Sequence, residues 1–174
     1  MNYKNSRISR IRTCACAIIV MAAATAALAS IGGGGGGGGD NLLGRMTGGG
    51  SIISNGLRVT HGLTLNCDAT QNPQRLEINW AGNRFHLEQL NTAFCSKNPG
   101  IDAGQPSAAF NTYTGSGAGR FNGVSGSTID VVFTDAGEPG AEDFASYTIH
   151  DAEGNLVLTA SGNLDKGNHQ VHNP

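Results

Sequence analysis

Residues 57–67 read Leu-Arg-Val-Thr-His-Gly-Leu-Thr-Leu-Asn-Cys, and their side chains alternate between two kinds. The first set is Leu57, Val59, His61, Leu63, Leu65 and Cys67, and the polar or small set between them is Arg58, Thr60, Gly62, Thr64 and Asn66. A period of two places successive side chains on opposite faces of a β-strand. This stretch therefore predicts a strand of about eleven residues with one buried face.

Similar short stretches, separated by turn residues, continue along the rest of the chain. Further strands are predicted at residues 76–80, 84–88, 110–114, 119–121, 127–134, 144–150 and 156–161. Residues 87–94 are the one candidate for a short helix, and the glycine-rich residues 115–119 predict a sharp corner between strands. Seven or eight short strands predict an all-β fold, either an antiparallel β-sandwich or a small β-barrel.

The composition agrees with a fold rich in tight turns. Of the 174 residues, 27 are glycine and only 14% are charged. Typical domains carry about 25% charged residues and about 7% glycine, so a charged helical bundle or coiled coil is excluded. The formal net charge of −2 offers no basic surface for a nucleic acid partner.

The first 29 residues resemble a targeting segment. Four basic residues and no acidic residue lie in residues 1–13, an apolar stretch follows from 14 to 29, and it ends in Ala27-Leu28-Ala29. This order is typical of a cleaved signal peptide. The alternative is an uncleaved anchor, although sixteen apolar residues are fewer than the about 20 that a spanning helix needs. We expect a signal peptide, and hence an exported protein that is periplasmic, at the cell surface or extracellular.

Removal of residues 1–29 changes the charge and the cysteine content. Seven basic and thirteen acidic residues remain, which gives a formal charge of −6. A mature chain of this charge is not expected to bind nucleic acid or to insert stably into a membrane. Cys67 and Cys95 are the two remaining cysteines, and in an exported chain they predict one disulfide. Two buried free thiols are the alternative.

An unbroken run of glycines, Gly32–Gly39, follows the predicted signal. Such a run has no side chain to bury, so residues 30–47 are predicted to form a flexible tether. Residues 48–174 are predicted to form a single all-β domain.

Six stretches of the domain carry a family resemblance. They are residues 48–51, 58–62 with 67–68, 83–87, 115–123, 134–140 and 167–172. Together they resemble a widespread bacterial exported all-β domain of unknown function, of the kind found after choice-of-anchor surface modules. The resemblance implies export and an all-β fold, and it implies no catalytic residue and no ligand.

Residues 135–143 place four carboxylates in a loop that also holds glycine and proline. Calcium prefers such clusters of oxygen ligands, so Asp135, Glu138 and Asp143 are candidate calcium ligands, with Glu142 beside them. The alternative is a surface turn whose acidic side chains stay solvated. We expect the surface turn, and no cofactor.

The histidines do not predict a shared metal site. His61 lies on the apolar face of its strand and is expected to be a hydrogen-bonded core residue. His169 and His172 are three residues apart, which places them on opposite faces of a strand. His86 belongs to an outer face.

Catalytic candidates are few. Glu77 and Glu88 flank a predicted hairpin and could form a general acid/base pair. The alternative is that they lie on the outer face of the sheet with Arg75 and Arg84, in weak cross-strand pairs.

The sequence predicts an exported, non-enzymatic β-domain that binds an unknown protein or polymer. The alternative is a small secreted β-barrel enzyme or ligand carrier whose cavity is lined by Trp80, Tyr113 and Phe121.

Overall fold

The computed structural model describes residues 41–101 and 109–174, and all regular structure in these ranges is β-strand. The strands are β1 (Arg45–Ser54), β2 (Leu57–Asn66), β3 (Arg75–Trp80), β4 (Asn83–Ser96), β5 (Thr112–Phe121), β6 (Val124–Thr134), β7 (Phe144–His150) and β8 (Leu156–His172). The all-β prediction is confirmed. These ranges contain no helix long and apolar enough to cross a membrane. The predicted signal peptide and the glycine run lie outside the described residues.

The eight strands form a closed antiparallel barrel. Each strand pairs with the next along the chain, and β8 pairs with β1 to complete the ring. Of the two predicted architectures, the structure therefore has the barrel. The strand β2 agrees closely with its predicted pattern, because Val59, His61, Leu63 and Leu65 are buried.

The interior of the barrel is filled by side chains. The largest fully buried ones are Tyr113, Tyr147, Phe85, Phe110, Phe133, Met46, Ile52, Leu65, Ile78, Ile149, His169 and Val59. An eight-stranded barrel is about wide enough for its inward side chains to fill it. The apolar core thus occupies the centre of the barrel.

Three two-residue turns connect strands at one end of the barrel. They are Asn55-Gly56, Ala81-Gly82 and Asn122-Gly123, and both residues of each turn have a positive φ angle. Such turns match the right-handed twist of the flanking strands, and Asn-Gly is their preferred sequence. Ala81 is the exception, because an alanine with φ of 43° lacks the local stabilisation that Asn has there.

The candidate for a short helix at residues 87–94 is wrong, because this segment belongs to β4. The pairing of β4 with β5 shifts between Leu87 and Gln89 and again between Leu90 and Thr92. The first shift adds one residue, Glu88, to β4, so Leu87 and Leu90 are both buried although they are three positions apart. Two bulges therefore produced a helix-like spacing in a strand.

The corner expected at residues 115–119 is also wrong, because β5 runs straight through it. Gly115, Gly117 and Gly119 all face inward. A Cβ atom on Gly117 would lie 2.6 Å from Leu87 Cδ1, and one on Gly119 would lie 2.6 Å from Phe85 Cζ. The glycines leave room for large side chains of β4 and do not bend the chain.

The first strand begins earlier and the last strand ends later than the sequence pattern indicated. β1 begins at Arg45, before Gly48, and β8 reaches His172. Ahead of β1, the Leu42 backbone N–H donates to the carbonyl of Cys95 at 3.0 Å. The predicted Cys67–Cys95 disulfide is confirmed at the same end, with 5.5 Å between the Cα atoms.

Candidate functional site

The loop between β6 and β7 holds the acidic residues that the sequence singled out. Asp135 is half-buried, and Glu138 and Glu142 are exposed, as expected for a surface turn. Asp143 contradicts the expectation, because it is fully buried. Its two carboxylate oxygens accept backbone N–H groups of Ala136 at 2.7 Å and of His169 at 2.6 Å. These two hydrogen bonds offset the cost of removing the carboxylate from water.

Burial raises the pKa of Asp143 to about 6, against the effect of its two N–H donors. The negative charges of Asp135 and Glu138 raise this pKa as well. The Asp143 carboxyl therefore changes its protonation state close to neutral pH inside the protein.

The three calcium candidates attach their loop to β8, each at a different point. Asp135 accepts the backbone N–H of Val171 at 2.8 Å, and Glu138 accepts the amide of Asn168 at 2.8 Å. Within residues 41–101 and 109–174, no group of three or more His, Cys, Asp or Glu side chains could hold a metal ion.

A chain of polar side chains crosses the apolar core. Nε2 of His61 lies 2.7 Å from Nε2 of His169, and Nδ1 of His61 lies 2.5 Å from the Tyr147 hydroxyl. Nδ1 of His169 lies 2.8 Å from the carbonyl oxygen of Thr134. The prediction that His61 is a satisfied core histidine is confirmed. His169 is buried, whereas His172 reaches Thr47 at 2.7 Å.

The carbonyl at the end of this chain fixes the tautomers of both neutral imidazoles. A carbonyl accepts only, so Nδ1 of His169 carries the proton and its Nε2 is an acceptor. Nε2 of His61 must then donate to His169, and Nδ1 of His61 accepts from Tyr147. Burial lowers the pKa of His61 to about 3, with a smaller contribution from the repulsion that a second charged ring at His169 would cause. Burial also lowers the pKa of His169. Both rings are neutral at pH 7.

Sequence reasoning missed this chain as a unit. His61 and His169 are 108 residues apart, and Tyr147 lies on a third strand. Each side chain occupies an inward position of its strand, and this position was the only local sign that the three could meet. Their meeting depends on closure of the barrel.

A second polar cluster lies on the outer face of β3 to β6. The register of the strands places Glu77 beside His86, His86 beside Arg120, and Arg120 beside Ser125. These four residues form one row across the sheet, which we call the outer row. Neighbouring side chains in such a row have Cβ atoms about 5 Å apart.

Glu77 and Glu88, the candidate acid/base pair, each contact an arginine. Glu77 Oε2 accepts a hydrogen bond from Arg84 Nη2 at 2.7 Å, and Glu88 Oε1 forms an ion pair with Arg120 Nε at 3.0 Å. Hydrogen bonds from Asn79 and Arg84 hold the pKa of Glu77 below its usual range. Glu77 therefore lacks the raised pKa that a general acid needs at neutral pH. The expected pairing of Glu77 with Arg84 is confirmed.

Several clefts lie on the surface of the described part of the chain. One of about 320 Å³ is lined by Arg84, His86, Arg120, Asn122 and Gly123. One of about 360 Å³ lies at the loop end, beside Asn66, Asp68 and the carboxyl terminus. One of about 520 Å³ lies between the loop after β2 and residues 88–91 of β4. None of these three is lined by Trp80, Tyr113 or Phe121.

No protein-family model, no curated protein and no solved structure matches this chain. The family resemblance of its sequence therefore stays a prediction.

Proposed function

We propose that the protein is an exported, non-enzymatic β-domain that binds a partner protein or polymer at the cell surface, in the periplasm or in the extracellular matrix. The observation that carries this proposal is the filled interior of the barrel. Tyr113, Phe133 and Tyr147 are all buried, and their rings take up interior space that a bound small molecule would need. Contact with a partner then falls to the loops and the outer faces.

Two further observations support the proposal. The Cys67–Cys95 disulfide is compatible with an exported location, because disulfides persist in oxidising compartments. The candidate acid/base residues Glu77 and Glu88 are held in ion pairs with arginines on the outer surface. Catalytic carboxylates typically lie in an enclosed pocket, whereas these two lie on an outer face of the sheet.

The alternative of an enzyme or carrier depends on a cavity lined by Trp80, Tyr113 and Phe121. Trp80 instead stacks on Phe121, with 5.6 Å between the ring centroids. Tyr113 is fully buried. The three aromatic side chains predicted to line a cavity thus pack against each other or within the core.

Recovery on cells tests the proposed function. The exported chain, tagged at its carboxyl terminus, is incubated with intact cells of the source and separately with their secreted fraction. We expect retention by one of the two, above that of an unrelated secreted protein with the same tag. Equal recovery of the two proteins in both fractions would contradict the proposal.

A further inference from the structure

The cleft of about 320 Å³ beside the outer row, which we call the basic cleft, brings two arginines and a histidine together on the surface of an acidic chain. Its lining includes Arg84, His86 and Arg120 and no carboxylate. His86 and Arg120 are direct neighbours across β4 and β5, and Arg84 lies two residues before His86 on the same face. Three basic side chains of two adjacent strands therefore converge on one surface depression.

Two glutamates that do not line the cleft hold its arginines in place. Glu77 accepts a hydrogen bond from Nη2 of Arg84, and Glu88 forms an ion pair with Nε of Arg120. A guanidinium carries five N–H donors in a rigid plane, so one such contact leaves most of them open. Arg84 keeps Nε and Nη1, and Arg120 keeps both Nη atoms, with no partner among the described residues. Each arginine is thus positioned and still able to bind.

Neither ring nitrogen of His86 has a hydrogen-bond partner among the described residues. Its Nδ1 is buried and lies 3.7 Å from Glu77 Oε2, which is too long for a hydrogen bond. Its Nε2 makes no hydrogen bond within the described ranges.

The wall of the basic cleft is fixed by the Asn122-Gly123 turn. The Asn122 side chain accepts the backbone N–H of Arg84 at 2.9 Å and donates to Asn83 at 2.9 Å. The Asn122 backbone N–H donates to the Arg84 carbonyl at 2.8 Å. The two hairpins that carry the arginines are therefore tied to each other, so little order needs to form on binding.

We propose that the basic cleft binds an oxyanion, a carboxylate or sulfate group, between the guanidinium groups of Arg84 and Arg120. Planar guanidinium groups bind such anions through paired hydrogen bonds, which a lysine ammonium does not reproduce. The inference rests on the proposed function and adds to it the chemistry of the ligand. The anion is either free in solution or carried by a charged polysaccharide.

Binding to three probes tests the proposal: dextran sulfate, unsubstituted dextran and inorganic sulfate. We expect the full exported chain to bind dextran sulfate and not dextran. Arg84→Gln with Arg120→Gln should weaken this binding at least tenfold. Arg58→Gln is the matched control, because Arg58 is an outer-face arginine whose Nη1 lies 2.7 Å from Asp165 and which lies outside the cleft lining. This control should change the affinity less than twofold.

Competition distinguishes the two sources of the anion. If inorganic sulfate at equal sulfate concentration displaces the polymer, the free anion is sufficient, and if it does not, the polymer is the ligand. Arg84→Lys with Arg120→Lys keeps the charge and should still weaken binding several-fold. Equal losses in the Arg58 variant and the cleft variant, or no binding to any probe, would overturn the proposal. Retention on cells without anion binding would overturn this inference alone, and anion binding without retention would overturn the proposed function alone.

Discussion

His61 and His169 face each other inside the barrel, with 2.7 Å between their Nε2 atoms. The two rings come from β2 and β8, and the space around them is closed by Phe133 and Tyr147. Because the Thr134 carbonyl fixes the direction of every hydrogen bond in the chain, the pair is held in one arrangement of protons. A fully satisfied polar network of this kind favours one register of the surrounding strands over others.

The histidine pair makes the fold sensitive to acid. The pKa of His61 falls from 6.5 to about 3 on folding, so the unfolded chain takes up a proton at a pH where the folded protein does not. The free energy of unfolding therefore decreases as the pH falls from 6.5 towards 3, by about 1.4 kcal/mol per pH unit for this group. The lowered pKa of His169 acts in the same direction. Urea unfolding at several pH values between 7 and 4 measures the slope.

Asp143 acts in the opposite direction over part of this range. Its pKa is raised from 3.8 to about 6, so the stabilisation from its proton is complete below 3.8 and is lost as the pH rises through 6.

His61→Phe should lower the stability at pH 7 and reduce the acid slope by about 1.4 kcal/mol per pH unit. An unchanged slope in this variant would contradict the assignment of the acid sensitivity to His61.

The local pattern predicted those strands in which inward and outward side chains alternate without a bulge. In β2, alternation gave the strand, its buried face and the core position of His61. In β4 the same reasoning failed, because bulges beside Leu87 and Leu90 shift the inward face by one residue. In β5 it failed because Gly117 carries no hydropathy signal, although it faces a crowded core. Contacts such as His61 with His169 follow only from barrel closure, which no local pattern encodes.

Asp143 contributes to stability through the two N–H groups that it binds. Asp143→Ala removes the partner of the part-buried N–H group of Ala136 and of the buried N–H group of His169. A buried unsatisfied donor costs about 1–3 kcal/mol, so the free energy of unfolding should fall by at least that amount at pH 7. Glu142→Ala is the control, because Glu142 is exposed and contacts Asn163 only at 3.4 Å. Similar unfolding midpoints for the two variants would contradict the role of the buried carboxylate.

Gly117 is required because its neighbours leave no room for a side chain. A Cβ atom there would lie 2.6 Å from both the Gln89 carbonyl oxygen and Leu87 Cδ1. Overpacking of this kind costs about 1–3 kcal/mol, so Gly117→Ala should lower the melting temperature by several degrees. Gly62→Ala is the matched control, because Gly62 is an exposed strand glycine whose Cβ would meet no atom within 4 Å. Equal melting temperatures for the two variants would show that β5 can move away from β4.

The disulfide joins the end of β2 to β4 across a sequence separation of 28 residues. Closing a loop of this length stabilises the folded state by about 3–4 kcal/mol in the chain-entropy model. Cys67→Ala with Cys95→Ala should lower the free energy of unfolding by a similar amount, measured in urea without reductant. The wild-type chain, denatured without reductant, should take up no alkylating reagent at these cysteines. Alkylation of both would contradict the pairing.

Ala81 is the weak position among the three two-residue turns. It takes a φ angle of 43°, whereas the equivalent positions of the other turns are Asn55 and Asn122. A left-handed conformation costs a typical residue about 1–2 kcal/mol, and asparagine much less. Ala81→Asn should therefore raise the free energy of unfolding by about 0.5–1 kcal/mol. The reverse change, Asn55→Ala, should lower it by a similar amount, and it is a matched test because Asn55 occupies the same position before a glycine. Thermal and urea unfolding of both variants measure the two effects, and shifts of the same sign would mean that contacts around each turn, not its backbone geometry, determine the outcome.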